Sequence, residues 1–173
     1  MLGVVHLEDA VAHDEPHRLR VARRGEGLGA AYFSADDGRH GYELWRTDGT
    51  PAGTALVVDL APGLASSSPT SLMAAGKPLY FAARDAAHGN ELWRTDGTAG
   101  GTRLVADIAH GPADSEPRAM VVADGRLYFV ADDGYAGPEL WVLDLDGSAA
   151  DLNGGARRPP RPARLPRTLL GSP

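Results

Sequence analysis

The sequence predicts an all-β protein built from tandem units of four short antiparallel strands. Residues 43–50, with the sequence ELWRTDGT, recur letter for letter at 91–98. The first three letters return at 139–141, so that the three tryptophans of the chain are spaced 48 residues apart. Glycine and proline are frequent, at 22 and 13 residues, as is typical of many strands joined by tight turns. No segment shows a helical period over ten or more positions, so no helix is expected.

The second unit, residues 69–116, shows the pattern most clearly. Turn-forming residues, among them the Asp96-Gly97 pair, separate its strand-like segments. Repeated four-stranded sheets of about 40–50 residues are typical of the blades of a β-propeller. The period therefore predicts a propeller-like array of about three blades. The predicted strands of this unit are 71–74, 79–83, 91–95 and 102–108.

The same period divides the whole chain into five parts. Residues 1–15 are predicted to hold the last strand of a preceding blade, because 4–7 align with 57–60. The remaining parts are repeat 1 at 16–68, with an elongated turn at 23–27, repeat 2 at 69–116, a degenerate repeat 3 at 117–153, and a disordered tail rich in arginine and proline at 154–173.

Repeat 3 is predicted to have three strands, at 119–123, 127–131 and 139–143. The stretch that follows, 146–152, is short and poor in β-branched residues, so no fourth strand is expected. One early strand, two whole units and three late strands are the parts of a ring closed by pairing the two ends. Three blades are fewer than the usual four to eight. The alternatives are a fragment of a longer array, association of copies, or exposed edge strands that invite pairing.

The charge distribution and the composition exclude several classes of protein. The net charge is −6, and five arginines follow residue 153, which leaves residues 1–153 with 12 basic and 23 acidic side chains. An acidic body argues against nucleic acid as a partner. No apolar run of 18 residues predicts a membrane span, and the first residues have no signal-peptide pattern. The absence of cysteine excludes disulfides and thiolate metal sites and leaves the compartment open.

The residues of the ELWRTDGT motif are predicted to have structural roles, because packing requirements repeat in every unit. Alternation along the strand places Leu44 and Trp45 on opposite faces of a sheet that is packed on both sides. Glu43 and Arg46 also lie on opposite faces, so they are expected to meet charges on neighbouring strands or blades. Thr50 and Thr54 flank the turn and are expected to cap it.

Two acidic loops are the best candidates for a metal site. Asp36 and Asp37 precede a glycine in repeat 1, and Asp132 and Asp133 do so in repeat 3. Paired carboxylates can bind Ca²⁺, although Ca²⁺ takes six or more oxygen ligands and Asp-Asp-Gly is also an ordinary hairpin turn. Repeat 2 has one acid fewer in its loop. The turn is therefore favoured, and calcium is kept as the weaker alternative.

The inventory of reactive residues does not predict catalysis. His40 and His88 occupy equivalent loop positions, but two histidines without a third ligand are weak evidence for zinc. The sequence has no Gly-x-Ser-x-Gly elbow and no phosphate-binding glycine loop. No catalytic or cofactor-binding residue is assigned, and the chain is predicted not to be an enzyme.

The two strict copies, 43–59 and 91–107, resemble the ELWxxDGT repeat family, tandem-repeat proteins of bacterial surfaces and secretions that are also described as hyalin-like. The likeness covers about residues 4–147 and is partial in repeat 3. The resemblance implies a β-propeller-like array, an extracellular or cell-surface location, and no set of catalytic residues. Members usually carry a secretion signal and more repeats than this chain.

Three hypotheses about function follow. The first is a structural or binding module whose loops meet a protein or glycan partner, with self-association through edge strands as an addition. The second is a hydrolase or lyase with loop residues at a central channel of a propeller. The third is a truncated remnant of a longer repeat protein.

Overall fold

The computed structural model describes residues 20–21, 29–135, 137–145 and 149–150, and these form twelve β-strands and no helix. The all-β prediction is confirmed for this part of the chain. The early strand at 4–7, the turn at 23–27 and the tail at 154–173 lie outside the described residues. The strands are β1 (Arg20–Val21), β2 (Ala31–Ala35), β3 (Glu43–Thr47), β4 (Ala55–Val58), β5 (Thr70–Ala74), β6 (Leu79–Asp85), β7 (Gly89–Thr95), β8 (Arg103–Ala106), β9 (Arg118–Ala123), β10 (Arg126–Asp132), β11 (Pro138–Asp144) and β12 (Ala149–Ala150).

The strands form three antiparallel four-stranded sheets, each with its strands in chain order. The first sheet contains β1–β4, the second β5–β8 and the third β9–β12. Each repeat therefore supplies one sheet, as the 48-residue period predicts. The same phenylalanine–tryptophan pair stands opposite on the second and third strands of every sheet: Phe33 with Trp45, Phe81 with Trp93, and Phe129 with Trp141.

The third sheet differs from the prediction at its last strand. The sequence predicts no fourth strand there, but Ala149 and Ala150 pair with Leu143 and Val142. That prediction was wrong because a ladder is formed by backbone N–H and C=O groups, which alanine supplies as well as a β-branched residue. The result is a strand of two residues, against four in β4 and β8.

The sheets stack face to face, and their side chains interdigitate in two apolar layers. We call the face of a sheet toward the following sheet its distal face and the other its proximal face. Leu44 packs on the distal face of the first sheet and Trp45 in a cluster on its proximal face, as strand alternation predicts. The first layer joins Tyr32, Leu44 and Val57 to Leu79, Phe81, Ala83 and Trp93, and the second joins Tyr80, Leu92 and Ile108 to Met120, Leu127, Phe129, Ala131 and Leu143.

The layers account for much of the stability of the stack. Leu44, Leu92, Phe81 and Leu127 are completely buried. Each such side chain contributes about 1.5–3 kcal/mol relative to an exposed one. Among strands of different sheets in the described part, β5 and β9 have the most extensive backbone contact. The second and third sheets therefore approach most closely along their first strands.

Candidate functional site

The glutamate that begins the motif ties each linker between sheets to the preceding sheet. Glu43 stands at the start of β3 and is completely buried. Its carboxylate accepts hydrogen bonds from the backbone N–H of Leu60 (3.2 Å), of Ala61 (3.3 Å) and of Ser67 (2.9 Å), and from the hydroxyl of Ser67. Both ends of the linker 59–69 are thus held by one side chain.

The second sheet repeats this arrangement. Glu91 accepts from the N–H of Ile108 at 3.0 Å, from that of Ala109 at 3.1 Å, and from the Ser115 hydroxyl at 2.6 Å. Burial raises the pKa of this carboxyl group above its ordinary value, although the donated hydrogen bonds oppose the shift. The pKa of Glu43 is raised for the same reason.

The prediction that Glu43 meets charged side chains is therefore wrong. Its partners are backbone N–H groups and a serine hydroxyl. Several such donors satisfy a buried carboxylate without burying a second charge, which would have its own desolvation cost. The sequence did contain a signal for this contact, because Ser67 and Ser115 are 48 residues apart, as Glu43 and Glu91 are.

The Asp-Gly-Thr turn forms a closed network of hydrogen bonds. Asp48 Oδ1 accepts from the N–H of Thr50 at 2.9 Å and from its hydroxyl at 2.7 Å. The Thr50 hydroxyl accepts from the N–H of Gly53 (3.0 Å), and the Thr54 hydroxyl donates to the carbonyl of Thr50 (2.8 Å). The prediction that the two threonines cap this turn is confirmed. The hydroxyl of Thr50 also lowers the pKa of Asp48.

A side chain at Gly53 would disrupt this network. A Cβ there would lie 2.0 Å from Oδ1 of Asp48, and one at Gly101 would lie equally close to Asp96. The turn of the second sheet also contacts the first sheet, because the Tyr32 hydroxyl lies over Gly97. The glycines and threonines of the motif therefore form the turns at one edge of the stack. We call this edge, residues 47–54 and 95–102, the turn edge.

The four aspartates predicted as calcium candidates shape hairpins at the opposite edge. Asp36 Oδ1 accepts from the N–H of Gly38 at 2.7 Å, and Asp132 Oδ1 accepts from that of Gly134 at 2.7 Å. Asp133 Oδ1 likewise accepts a hydrogen bond from the N–H of Tyr135. The pairs Asp36–Asp37 and Asp132–Asp133 lie in different sheets. In the part of the chain that the structure describes, no three metal-ligating side chains lie together.

Two of the hairpins contain an aspartate–histidine pair. Asp37 Oδ2 lies 2.8 Å from Nδ1 of His40, and Asp85 Oδ2 lies 2.9 Å from Nδ1 of His88. The hydrogen bond that the imidazole donates to the Asp85 carboxylate raises the pKa of His88 above 6.5. Burial acts to raise the pKa of Asp37, but hydrogen bonds from backbone N–H groups and from His40 outweigh it, so that this pKa is lowered. Each pair lies within one hairpin, and the structure does not bring the two histidines to a shared third ligand in the described residues.

The linkers lie against these hairpins. The N–H of Ser68 donates to the carbonyl of Tyr42, and a Cβ on Gly41 would lie 2.1 Å from the carbonyl oxygen of Ala65. In the second sheet, Arg84 forms an ion pair with Asp114 of the following linker. Hairpins and linkers thus form one continuous surface. We call it the hairpin edge, and it comprises residues 36–41, 84–89, 132–135 and 137 together with the linkers 59–69 and 107–117.

The exposed loop positions of the hairpin edge vary between repeats, whereas the Asp-Gly-Thr turn is identical in the first two repeats. Arg39, Ala87 and Tyr135 occupy equivalent loop positions, all are exposed, and they differ in charge and size. Residues 47–50 of the turn edge are identical to 95–98. A surface that changes from unit to unit on a constant framework is typical of the binding side of a repeat protein.

Comparison with protein-family models gives no match, and comparison with curated proteins gives none either. No membrane-spanning helix is found among the described residues.

Proposed function

We propose that this chain is a non-enzymatic repeat module that binds a protein or glycan partner through its hairpin edge. The observation that carries this proposal is the contrast between the two edges. Every polar motif residue of the turn edge forms a hydrogen bond within its own turn, as Asp48 and Thr50 do. The hairpin edge instead presents Arg39 and Tyr135 to solvent at equivalent places.

The shape of this proposed module is that of a β-propeller segment of the ELWxxDGT, hyalin-like repeat type, which acts at the surface of or outside a bacterial cell. Two observations support the shape. The sheets stack face to face in chain order, and among described strands of different sheets the first strands β5 and β9 have the most extensive backbone contact, as the inner strands of neighbouring blades do. Equivalent hairpins of a propeller point the same way, so three different loops contribute to one surface.

Aromatic and arginine side chains contribute most to recognition surfaces. Tyr135 is 61% exposed, and Arg39 stands at the equivalent place in the first hairpin. A partner that spans all three hairpins would contact both side chains together. Their replacement by alanine is expected to weaken binding about tenfold each, which corresponds to about 1.4 kcal/mol.

The test is binding of the labelled full chain to an array of glycans and to a panel of cell-surface proteins. Arg39→Ala and Tyr135→Ala should each lower the strongest signal, while Ala99→Glu, on the exposed turn edge, should leave it unchanged. Loss of binding in Ala99→Glu alone, or no binding to any probe, would contradict the proposal.

A further inference from the structure

The hairpin edge is strongly acidic, and the turn edge is much less so. By sequence, the hairpin edge carries nine acidic side chains against two arginines, which is a net charge of −7 with the histidines neutral. The turn edge carries two acidic side chains and no basic one. Carboxyl groups with an ordinary pKa near 4 are ionised at neutral pH. The hairpin edge therefore attracts cations far more strongly than the turn edge does.

The hairpin edge already binds one guanidinium group. Arg84 Nη2 donates a hydrogen bond to Asp114 Oδ2 of the following linker. In the other two hairpins the positions equivalent to Arg84 hold Asp36 and Asp132, so a carboxylate stands where the second hairpin has its cation. The ring of Tyr135 is 61% exposed, and a guanidinium group can stack on such a ring. A ligand that brings arginine side chains to the first and third hairpins therefore supplies the group that this edge already binds.

The chain itself contains such a ligand. Residues 154–173 include five arginines, five prolines and no acidic residue. Proline has no N–H for a strand ladder, and it favours an extended conformation of about 3.1 Å per residue. A segment of this composition is suited to lie along an acidic surface and not to extend a sheet. We call residues 157–167, which hold Arg157, Arg158, Arg161, Arg164 and Arg167, the arginine segment.

The last described strand leads toward the hairpin edge. Strand β11 begins at this edge, and β12 runs antiparallel to it, with Ala150 opposite Val142. The distance from Val142 back to Gly137 is five residues along a strand, or about 17 Å. Arg157 follows Ala150 by seven residues, and a chain of this length spans up to about 23 Å. The first arginine is therefore within reach of the third hairpin.

The arginine segment is also long enough to cross the edge. Sheets packed face to face lie about 10 Å apart, so the first and third hairpins are about 20 Å from each other. Residues 157–167 span about 30 Å in the extended conformation that proline favours. We propose that the arginine segment lies across the hairpin edge of its own chain, with its guanidinium groups on the carboxylates of the first and third hairpins.

The proposed contact covers the surface that we propose for partner binding. The arginine segment would then compete with a partner, and this consequence rests on the proposed function. The contact itself requires only the acidic edge and the arginines, so it is measured without any partner.

Paramagnetic relaxation enhancement on the full chain tests the contact. The chain has no cysteine, so Ala163→Cys gives a single place for a nitroxide label within the arginine segment. The label should broaden the amide signals of Gly38 and Gly134 at the hairpin edge and leave those of Gly49 and Gly97 at the turn edge sharp. A mixture of isotope-labelled wild type with spin-labelled chain reports contacts between copies, and no broadening of the wild-type signals is expected there.

Charge variants show whether the arginines and the carboxylates cause the broadening. Asp132→Asn keeps an oxygen for the N–H of Gly134 but removes a charge, and it should lower the relaxation enhancement at Gly134 about twofold, as loss of one exposed ion pair would. Asp48→Asn makes the same change on the turn edge and is the matched control, which should leave the enhancement unchanged. Replacement of all five arginines of the segment by glutamine should abolish it.

Equal broadening at the two edges, sharp signals at Gly38 and Gly134, or broadening that survives in the five-glutamine variant would overturn the proposal. Broadening in the mixed sample alone would also overturn it and assign the contact to a second copy. A contact of the arginine segment in a chain that binds no glycan or protein would contradict the proposed function alone. If a partner binds, the five-glutamine variant should bind it about tenfold more tightly, and equal affinity would contradict the competition.

Discussion

The second and third units share their strand pattern but differ in what lies against them. Leu92 of the second unit is completely buried by the third sheet, whereas Leu140, at the equivalent place, is 49% exposed. Glu91 holds the linker that leads to the next sheet, and Glu139 is half-buried with no hydrogen bond from a linker in the described residues. The comparison shows that the glutamate and the leucine of the motif are completely buried only where another sheet follows. The same substitution made in both units therefore shows how much of its effect depends on the sheet that follows.

The largest difference is expected at the glutamate. Glu91→Ala would leave the N–H groups of Ile108 and Ala109 and the Ser115 hydroxyl without their acceptor, at a cost of about 4 kcal/mol in the free energy of unfolding. Glu139→Ala should cost less than about 0.5 kcal/mol. Urea unfolding followed by tryptophan fluorescence measures both. An equal loss of unfolding free energy in both variants would show that the hydrogen bonds between Glu91 and the linker do not stabilise the stack.

The leucine pair should give the next largest difference. Leu92→Ala removes a side chain from the layer between the second and third sheets and should destabilise the fold by about 3 kcal/mol. Leu140→Ala should cost about 1 kcal/mol or less, since half of its surface is already in water. Thermal unfolding at low concentration is the measurement. A comparable loss at both leucines would mean that the third distal face is covered within one chain.

The glycine before the motif sharpens the comparison further. A Cβ on Gly89 would lie 2.0 Å from the carbonyl oxygen of Ala113, whereas one on Gly137 meets nothing within 4 Å. Both glycines have positive φ, at 63° and 89°. Gly137→Ala should therefore cost about 1 kcal/mol from backbone strain alone, and Gly89→Ala about 2 kcal/mol more, because the linker must move. Matched melting temperatures for the two variants would refute this difference.

Local patterns in the sequence predicted the sheets well, because each sheet is formed by strands that follow one another along the chain. The 48-residue period predicted three units and the four strands of the second, and alternation placed Leu44 and Trp45 on opposite faces. The partners of Glu43 could not be predicted in this way, because the donors are backbone groups of Leu60 and Ala61, whose position depends on the path of the linker. The strand at Ala149 was missed for a related reason: its pairing uses the backbone and leaves no trace in side-chain pattern.

The hairpin edge was predicted in part. The sequence identified Asp36 and Asp37 and also the equivalence of His40 with His88, since spacing alone reveals them. The pairing of each histidine with the aspartate three residues before it required the hairpin geometry, which turns the two side chains toward each other. Calcium binding at the four aspartates remains a prediction, and titration with Ca²⁺ monitored by the amide signals of Gly38 and Gly134 would test it.

The smallest expected effect concerns the Asp85–His88 pair, which the third unit lacks because Tyr135 and Ala136 occupy that part of its loop. Asp85→Asn keeps an oxygen for the backbone N–H groups of the hairpin but removes the charge, so the pKa of His88 should fall toward 6.5. In the wild type this pKa is raised, so the pair stabilises the fold fully below pH 6.5 and the stabilisation is lost as the pH rises through the folded value. NMR titration of the imidazole measures the shift, with Asp36→Asn as a control that leaves the pair intact. An unchanged His88 pKa in Asp85→Asn would mean that the Asp85 carboxylate does not raise the proton affinity of the imidazole.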